Sequence, residues 1–171
     1  MAELVPQQGG NEGYIPNTQA TIFELYRLMA IFFSSKKFAE LRTGNGERFD
    51  PITKIELGIE DEITRILLAI AITARVIDDR AGHGFNIADA SCGTLVRNTA
   101  NVQLINLDLR EACNKIIHAE RVHFDVDETE ALQPYLQPFI YLYGHQHNNE
   151  WKATIDVIEF AKTYVTCVNG L

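Results

Sequence analysis

Only three cysteines occur in the 171 residues, Cys92, Cys113 and Cys167, and no C-x-x-C pair is formed by them. A disulfide framework or a zinc knuckle needs even, closely spaced sets, so both are excluded in favour of reduced thiols in a reducing compartment, and a cytoplasmic protein is expected. The start, Met1 to Tyr14, has neither the basic flank nor the apolar run of a secretory signal, so no export is expected. Long apolar runs are missing as well. The longest, residues 66–72, is bracketed by Arg65 and Arg75 and falls far short of the roughly 20 residues that a spanning helix needs. No membrane partner is expected.

Positive charge is also scarce. Fifteen basic side chains against 23 acidic ones leave a net charge of −8, which opposes a sequence-blind grip on phosphate backbones and excludes non-specific DNA binding. Lys36, Lys37, Arg42 and Arg48 form a local cluster that could engage RNA, although four such charges beside a long helix are ordinarily a solvated edge. No glycine-rich phosphate loop, nucleophile elbow or H-E-x-x-H is present, so P-loop, serine-hydrolase and zinc-protease chemistry lack support. No cofactor and no metal are expected.

What is there describes one globular domain, 46% hydrophobic and 22% charged. Residues 1–16, rich in Gly, Gln and Asn, are expected to form a flexible arm, and residues 17–171 a single helical domain. Asn17 or Thr18 can cap a helix whose apolar positions Ile22, Leu25, Tyr26, Met29, Phe32 and Phe33 share one face, ending near Lys36 or running on to Leu41. Thr43-Gly44-Asn45-Gly46 is a turn, and Asp50-Pro51 opens the next helix. That helix is the long central one, reaching Arg80 with a break at Gly58 and a glycine cap at Ala81-Gly82-His83-Gly84.

Leu95, Val96, Thr99, Val102 and Ile105 allow a short helix, and Asp108 to Glu120 a clearer one. Residues 122–126 alternate in polarity and residues 139–143 are β-branched or aromatic, with a His- and Asn-rich turn over residues 144–149. Trp151 beside Lys152 reads as a strand-to-helix junction, and a last helix follows Ile155, Ile158, Ala161 and Val165 to about Gly170. The expected fold is therefore mostly α, a four- to five-helix bundle with a small β hairpin or three-stranded patch before the C-terminal helix.

Arg110, Asn114 and His118 recur at four-residue steps, each rotated about 40° from the last, so the three side chains can share one groove. An arginine holds a phosphate, a histidine moves a proton near neutral pH and Asn114 could orient either. Such a trio suits cleavage of a phosphodiester by its 2′-hydroxyl. The plainer reading has Asn114 and His118 bracing neighbouring loops, with Arg110 exposed.

The segment Cys113-Asn114-Lys115-Ile116-Ile117-His118 resembles the R-N-K-x-x-H core of HEPN domains (higher eukaryote and prokaryote nucleotide-binding). The resemblance implies a helical bundle, commonly a homodimer, and a metal-independent ribonuclease or RNA-binding protein of a prokaryotic or phage defence or toxin system. Asn114 and His118 match that core directly. The motif arginine is Cys113 here, and Arg110 lies one turn early. The competing expectation is a non-enzymatic protein-interaction or dimerisation module, with Cys113 a small buried hydrophobe.

Three weaker constellations remain. His145-x-His147, with His123 and Cys167 elsewhere, has the chemistry of a transition-metal site but no fixed spacing, and an exposed turn accounts for it better. Glu56, Glu60 and Glu62 with Asp78 and Asp79 suggest a carboxylate-lined magnesium site, but read more simply as solvated acidic helix ends. Tyr141, Tyr143 and Trp151 beside Lys152 could stack bases, though a packed junction is the stronger reading.

Overall fold

The computed structural model describes residues 17–43, 50–80, 90–128 and 133–169. The arm expected over residues 1–16, most of the glycine turn at residues 43–46, Arg48 and the glycine cap at residues 81–84 lie outside them.

Asn17 caps α1, Thr18–Leu41, its side chain accepting from Ala20 N. Asp50 and Pro51 open α2, Pro51–Glu56, as the sequence predicts. The chain breaks at Gly58, whose φ of +86° suits glycine, before α3, Ile59–Arg80. Asp108 then caps α4, Leu109–Ile117, and the last described helix is α5, Val157–Asn169.

The expectation of a mostly α bundle is wrong. Five strands, β1 Gly93–Val96, β2 Leu104–Asn106, β3 Arg121–Asp127, β4 Tyr135–Gln146 and β5 Asn149–Asp156, form one antiparallel sheet in the order β2-β1-β5-β4-β3. The fold is a mixed α and β one, with a five-stranded antiparallel sheet where a small hairpin is expected. Leu95, Val96 and Ile105, read as one short helix, instead pair Leu95 with Ile105 across β1 and β2. Trp151 and Lys152 lie inside β5, not at a junction, and Ile155 belongs to that strand and not to the last helix.

One face of the sheet carries the core. Leu95, Ile140, Leu142, Ala153 and Ile155 are buried there with Ile63, Ile66 and Ile70 of α3 and with Phe160 and Tyr164 of α5. The alternate residues, among them Tyr141, Tyr143, Lys152 and Thr154, point away from that core and are partly exposed, the usual arrangement of an antiparallel sheet covered on one side. Burial of the apolar face at about 25 cal/mol per Å² is the main stabilising term. Among the described residues no helix is long and apolar enough to cross a membrane.

α1 sits in an unexpected phase. Its buried residues are Thr21, Leu25, Leu28, Phe32, Ser35 and Ala39. Two of the predicted core residues, Tyr26 and Phe33, are 69% and 59% exposed. The helix is therefore turned by about a quarter rotation from the face an apolar count selects. Buried hydroxyls account for this: Thr21 Oγ1 accepts from Tyr164 Oη at 2.7 Å, and Ser35 Oγ accepts from Leu136 N at 2.9 Å.

Candidate functional site

α4 is the short helix that carries Arg110 and Asn114, with His118 as its C-cap, and its local sequence explains its position. Leu109, Ala112, Cys113 and Ile116 form the buried stripe, held against α3 and the sheet. Asp108 Oδ1 accepts from Glu111 N at 2.8 Å and fixes the first turn.

Arg110 turns toward α3. Its Nη1 donates to Asp78 Oδ2, and both terminal nitrogens lie 3.3 Å from Asp79 Oδ1. Arg75 reaches the same two carboxylates, Asp78 Oδ2 at 3.1 Å and Asp79 Oδ1 at 3.1 Å. Asp78 is fully buried, so two guanidinium groups surround one sequestered carboxylate. The aspartate pair, read from the sequence as a solvated helix end, is thus the anchor between α3 and α4. The signal that identifies it is Arg75, three and four residues before the two aspartates on the same helix.

Asn114 and His118 go elsewhere. Asn114 Nδ2 donates to Glu111 Oε2 at 3.3 Å on its own helix. His118 caps the C-terminus, its backbone N–H donating to Asn114 O at 3.0 Å, and it is exposed. The structure therefore sends Arg110 to the α3 carboxylates, Asn114 back along α4 and His118 into solvent. Cys113, at the position where the resembling motif has arginine, is fully buried, and burial raises its thiol well above the ordinary range.

Lys115 is a residue that sequence reasoning passes over. It is buried, with Nζ 4.4 Å from the centroid of the Trp151 ring and 3.3 Å from Glu111 Oε1. Trp151 in turn covers Gly144, where an added Cβ would meet the indole at 2.4 Å.

The other constellations separate in the same way. His145 Nδ1 lies 2.9 Å from Glu120 Oε2, and His147 occupies the hairpin turn with φ of 50°. Among the described residues no group of three or more His, Cys, Asp or Glu could hold a metal. Glu56 forms a two-pronged pair with Arg42, Nε to Oε2 at 2.7 Å and Nη2 to Oε1 at 2.7 Å. Glu62 pairs with Arg65 at 2.7 Å and with Arg27 at 2.5 Å. Arg42 and Glu56 border a cleft of about 520 Å³ that also touches Glu60 and Tyr135, and the guanidinium there is committed to its carboxylate.

The outer side of α1 is different in kind. Phe23, Tyr26 and Phe33 are 61%, 69% and 59% exposed, and the Phe23 and Tyr26 rings stack at 6.4 Å. Three large aromatics on one helical face is a contiguous apolar patch of the sort that marks an interaction surface.

No family model, no curated protein and no solved structure matches this chain. A functional reading therefore rests on the geometry just described.

Proposed function

We propose that the chain is a non-enzymatic interaction module working in a reducing compartment such as the cytoplasm, with the outer face of α1 as its working surface. The observation that carries this reading is the exposure of Phe23, Tyr26 and Phe33 on a chain with a net charge of −8. An exposed aromatic face favours association unless it is covered, and it gives the chain no stability while bare. The buried, unpaired state of all three cysteines fits a reducing setting.

The ribonuclease reading draws support from His118, which is accessible. It loses support at Arg110, because a guanidinium already shared between Asp78 and Asp79 is poorly placed to take a scissile phosphate as well. Incubating micromolar protein with RNA, with and without chelator and beside a His118→Ala variant, separates the two. Intact RNA is expected throughout. Cleavage that disappears in the variant replaces the interaction module with a metal-independent nuclease.

A further inference from the structure

α1 is built with two seams. The inner one, Thr21, Leu25, Leu28, Phe32, Ser35 and Ala39, is buried by the rest of the fold. The outer one, Phe23, Tyr26, Ala30, Phe33 and Lys37, advances by alternating steps of three and four residues. That mean step of about 3.5 residues is the spacing that keeps a stripe of one helix in register with another helix. A helix that is apolar on opposite sides needs cover on both, and among the described residues α1 has it on one.

Resting on the interaction-module reading above, we infer that the outer seam is covered by α1 of a second copy of this chain, running antiparallel about a two-fold axis. The seam is complementary to itself in that direction. Placing Phe23 opposite Phe33 of the second copy brings Tyr26 opposite Ala30, so the largest side chain meets the smallest and two aromatic pairs close the ends. Each layer occurs twice by symmetry, as an isologous interface requires. A parallel pair would set Ala30 against Ala30, leaving a gap, and Lys37 against Lys37.

Charge selects the same direction. Lys37 lies at the C-terminal end of the seam with its Nζ 2.7 Å from Glu40 Oε2, while Lys36 turns to the other side, over the Tyr135 ring. An antiparallel pair separates the two Lys37–Glu40 pairs by the length of the seam, whereas a parallel pair sets like charges side by side. Arg27, which flanks the middle, is held by Glu24 at 3.1 Å and by Glu62 at 2.5 Å, so its charge is balanced within one copy.

The size of the patch sets the strength. Aromatic side chains offer roughly 150–250 Å² each. With about 60% of that area exposed, three of them supply on the order of 350 Å² per copy, against roughly 800 Å² in an interface of standard size. Flanking Ile22 and Met29, both half-buried, add to it. The dimer is therefore a weak one, with a dissociation constant on the order of micromolar.

Sedimentation equilibrium of the full chain over a range of about 1 to 500 µM tests the pairing. The expected result is a reversible shift from the 19.3 kDa monomer to twice that mass. Phe33→Glu and, separately, Tyr26→Glu are expected to weaken it at least tenfold, while Ile72→Glu on exposed α3 surface leaves it unchanged. Circular dichroism confirms that each variant is folded, which exposure of the replaced residues favours. For direction, Phe23→Cys and Phe33→Cys proteins are oxidised alone and mixed, the native thiols being buried. Cross-linking concentrated in the mixture supports the antiparallel pair. A monomer at every concentration, a dimer indifferent to both glutamates, or efficient cross-linking of Phe23→Cys to itself overturns the inference. Those failures leave RNA untouched, so they are distinct from failure of the module reading, which appears as cleavage dependent on His118.

Discussion

At Asp78 two guanidinium groups converge on one carboxylate that has no access to water, and the balance of that cluster decides how α3 meets α4. Removing one member of a buried pair strands the others, which costs about 3–5 kcal/mol. Asp78→Ala is expected to lose that much in urea denaturation. Arg110→Ala should lose less, about 1–3 kcal/mol, because Arg75 still neutralises Asp78. An Arg110→Ala protein as stable as the parent would mean that the cluster is not the anchor described. Gly144 and Gly93 are fixed by contact rather than by charge. A Cβ at Gly93 would meet Thr154 O at 1.9 Å on a backbone with φ of +139°, and one at Gly144 would meet the Trp151 ring at 2.4 Å. Gly144→Ala is expected to cost about 1–3 kcal/mol through displacement of the indole, and Gly93→Ala more, since the opposing atoms are backbone. The comparison of their urea midpoints checks the order. The cysteines are equally constrained: burial pushes Cys92 up to about 12 and raises Cys167 too. Because the thiolate is the reactive form, a thiol reagent at pH 8 is expected to label none of the three in the native protein and all three in urea. Rapid labelling of Cys92 without urea would contradict its burial.

At the scale of elements, helices with an obvious start signal were legible and strands defined by distant partners were not. Asn17, Asp50 and Asp108 are caps whose side chains accept from nearby backbone N–H groups, so local sequence is enough to place them. The phase of α1 was hidden because Thr21 and Ser35, both polar, belong inside by virtue of partners more than a hundred residues away. β1 and β2 were hidden for a related reason. Each is short, and the spacing of Leu95, Val96 and Ile105 also fits a helix until β5 supplies the ladder. The β4–β5 hairpin was half visible: its flanks alternate, and its loop is the pair His147 and Asn148 with φ of 50° and 65°. Two positive φ values in a two-residue loop define a tight hairpin turn that favours Asn-Gly. Asn148→Gly should therefore relieve a left-handed backbone and raise stability by about 1 kcal/mol, read as an increase in melting temperature. A decrease would show that the Asn148 side chain does more in the turn than its backbone suggests. The candidate site divided along the same line. Arg110 and Asn114 lie within α4 and His118 only at its C-cap, and which way Arg110 turns depends on Asp78 and Asp79, thirty-two and thirty-one residues earlier.

For the whole molecule, the order β2-β1-β5-β4-β3 joins consecutive strands except where β1 pairs with the distant β5, and ion pairs such as Arg65–Glu24 and Arg27–Glu62 cross between helices. Their response to acid follows from the carboxyls involved. Hydrogen bonding from Arg65 holds Glu62 below its ordinary value of 4.5, and hydrogen bonding from His145 does the same for Glu120. A carboxyl that takes up its proton less readily folded than unfolded stabilises the fold above the ordinary glutamate range. That contribution is lost as pH falls from about 4.5 through the lower folded value. An opposing effect is relief of self-repulsion, since the chain is negative at neutral pH. Relief ends once the net charge reaches zero, near pH 5.1, and further protonation only builds positive charge. Below that point both effects act in the same direction. The urea midpoint is thus expected to change little between pH 7 and pH 5 and to fall steadily from pH 4.5 to pH 3. Glu62→Gln should flatten part of that fall, because the group that loses its ion pairs on protonation is already neutral. A midpoint that holds or rises over the acid range would mean that the network linking α1 to α3 through Glu24, Arg27, Glu62 and Arg65 contributes nothing to the folded state.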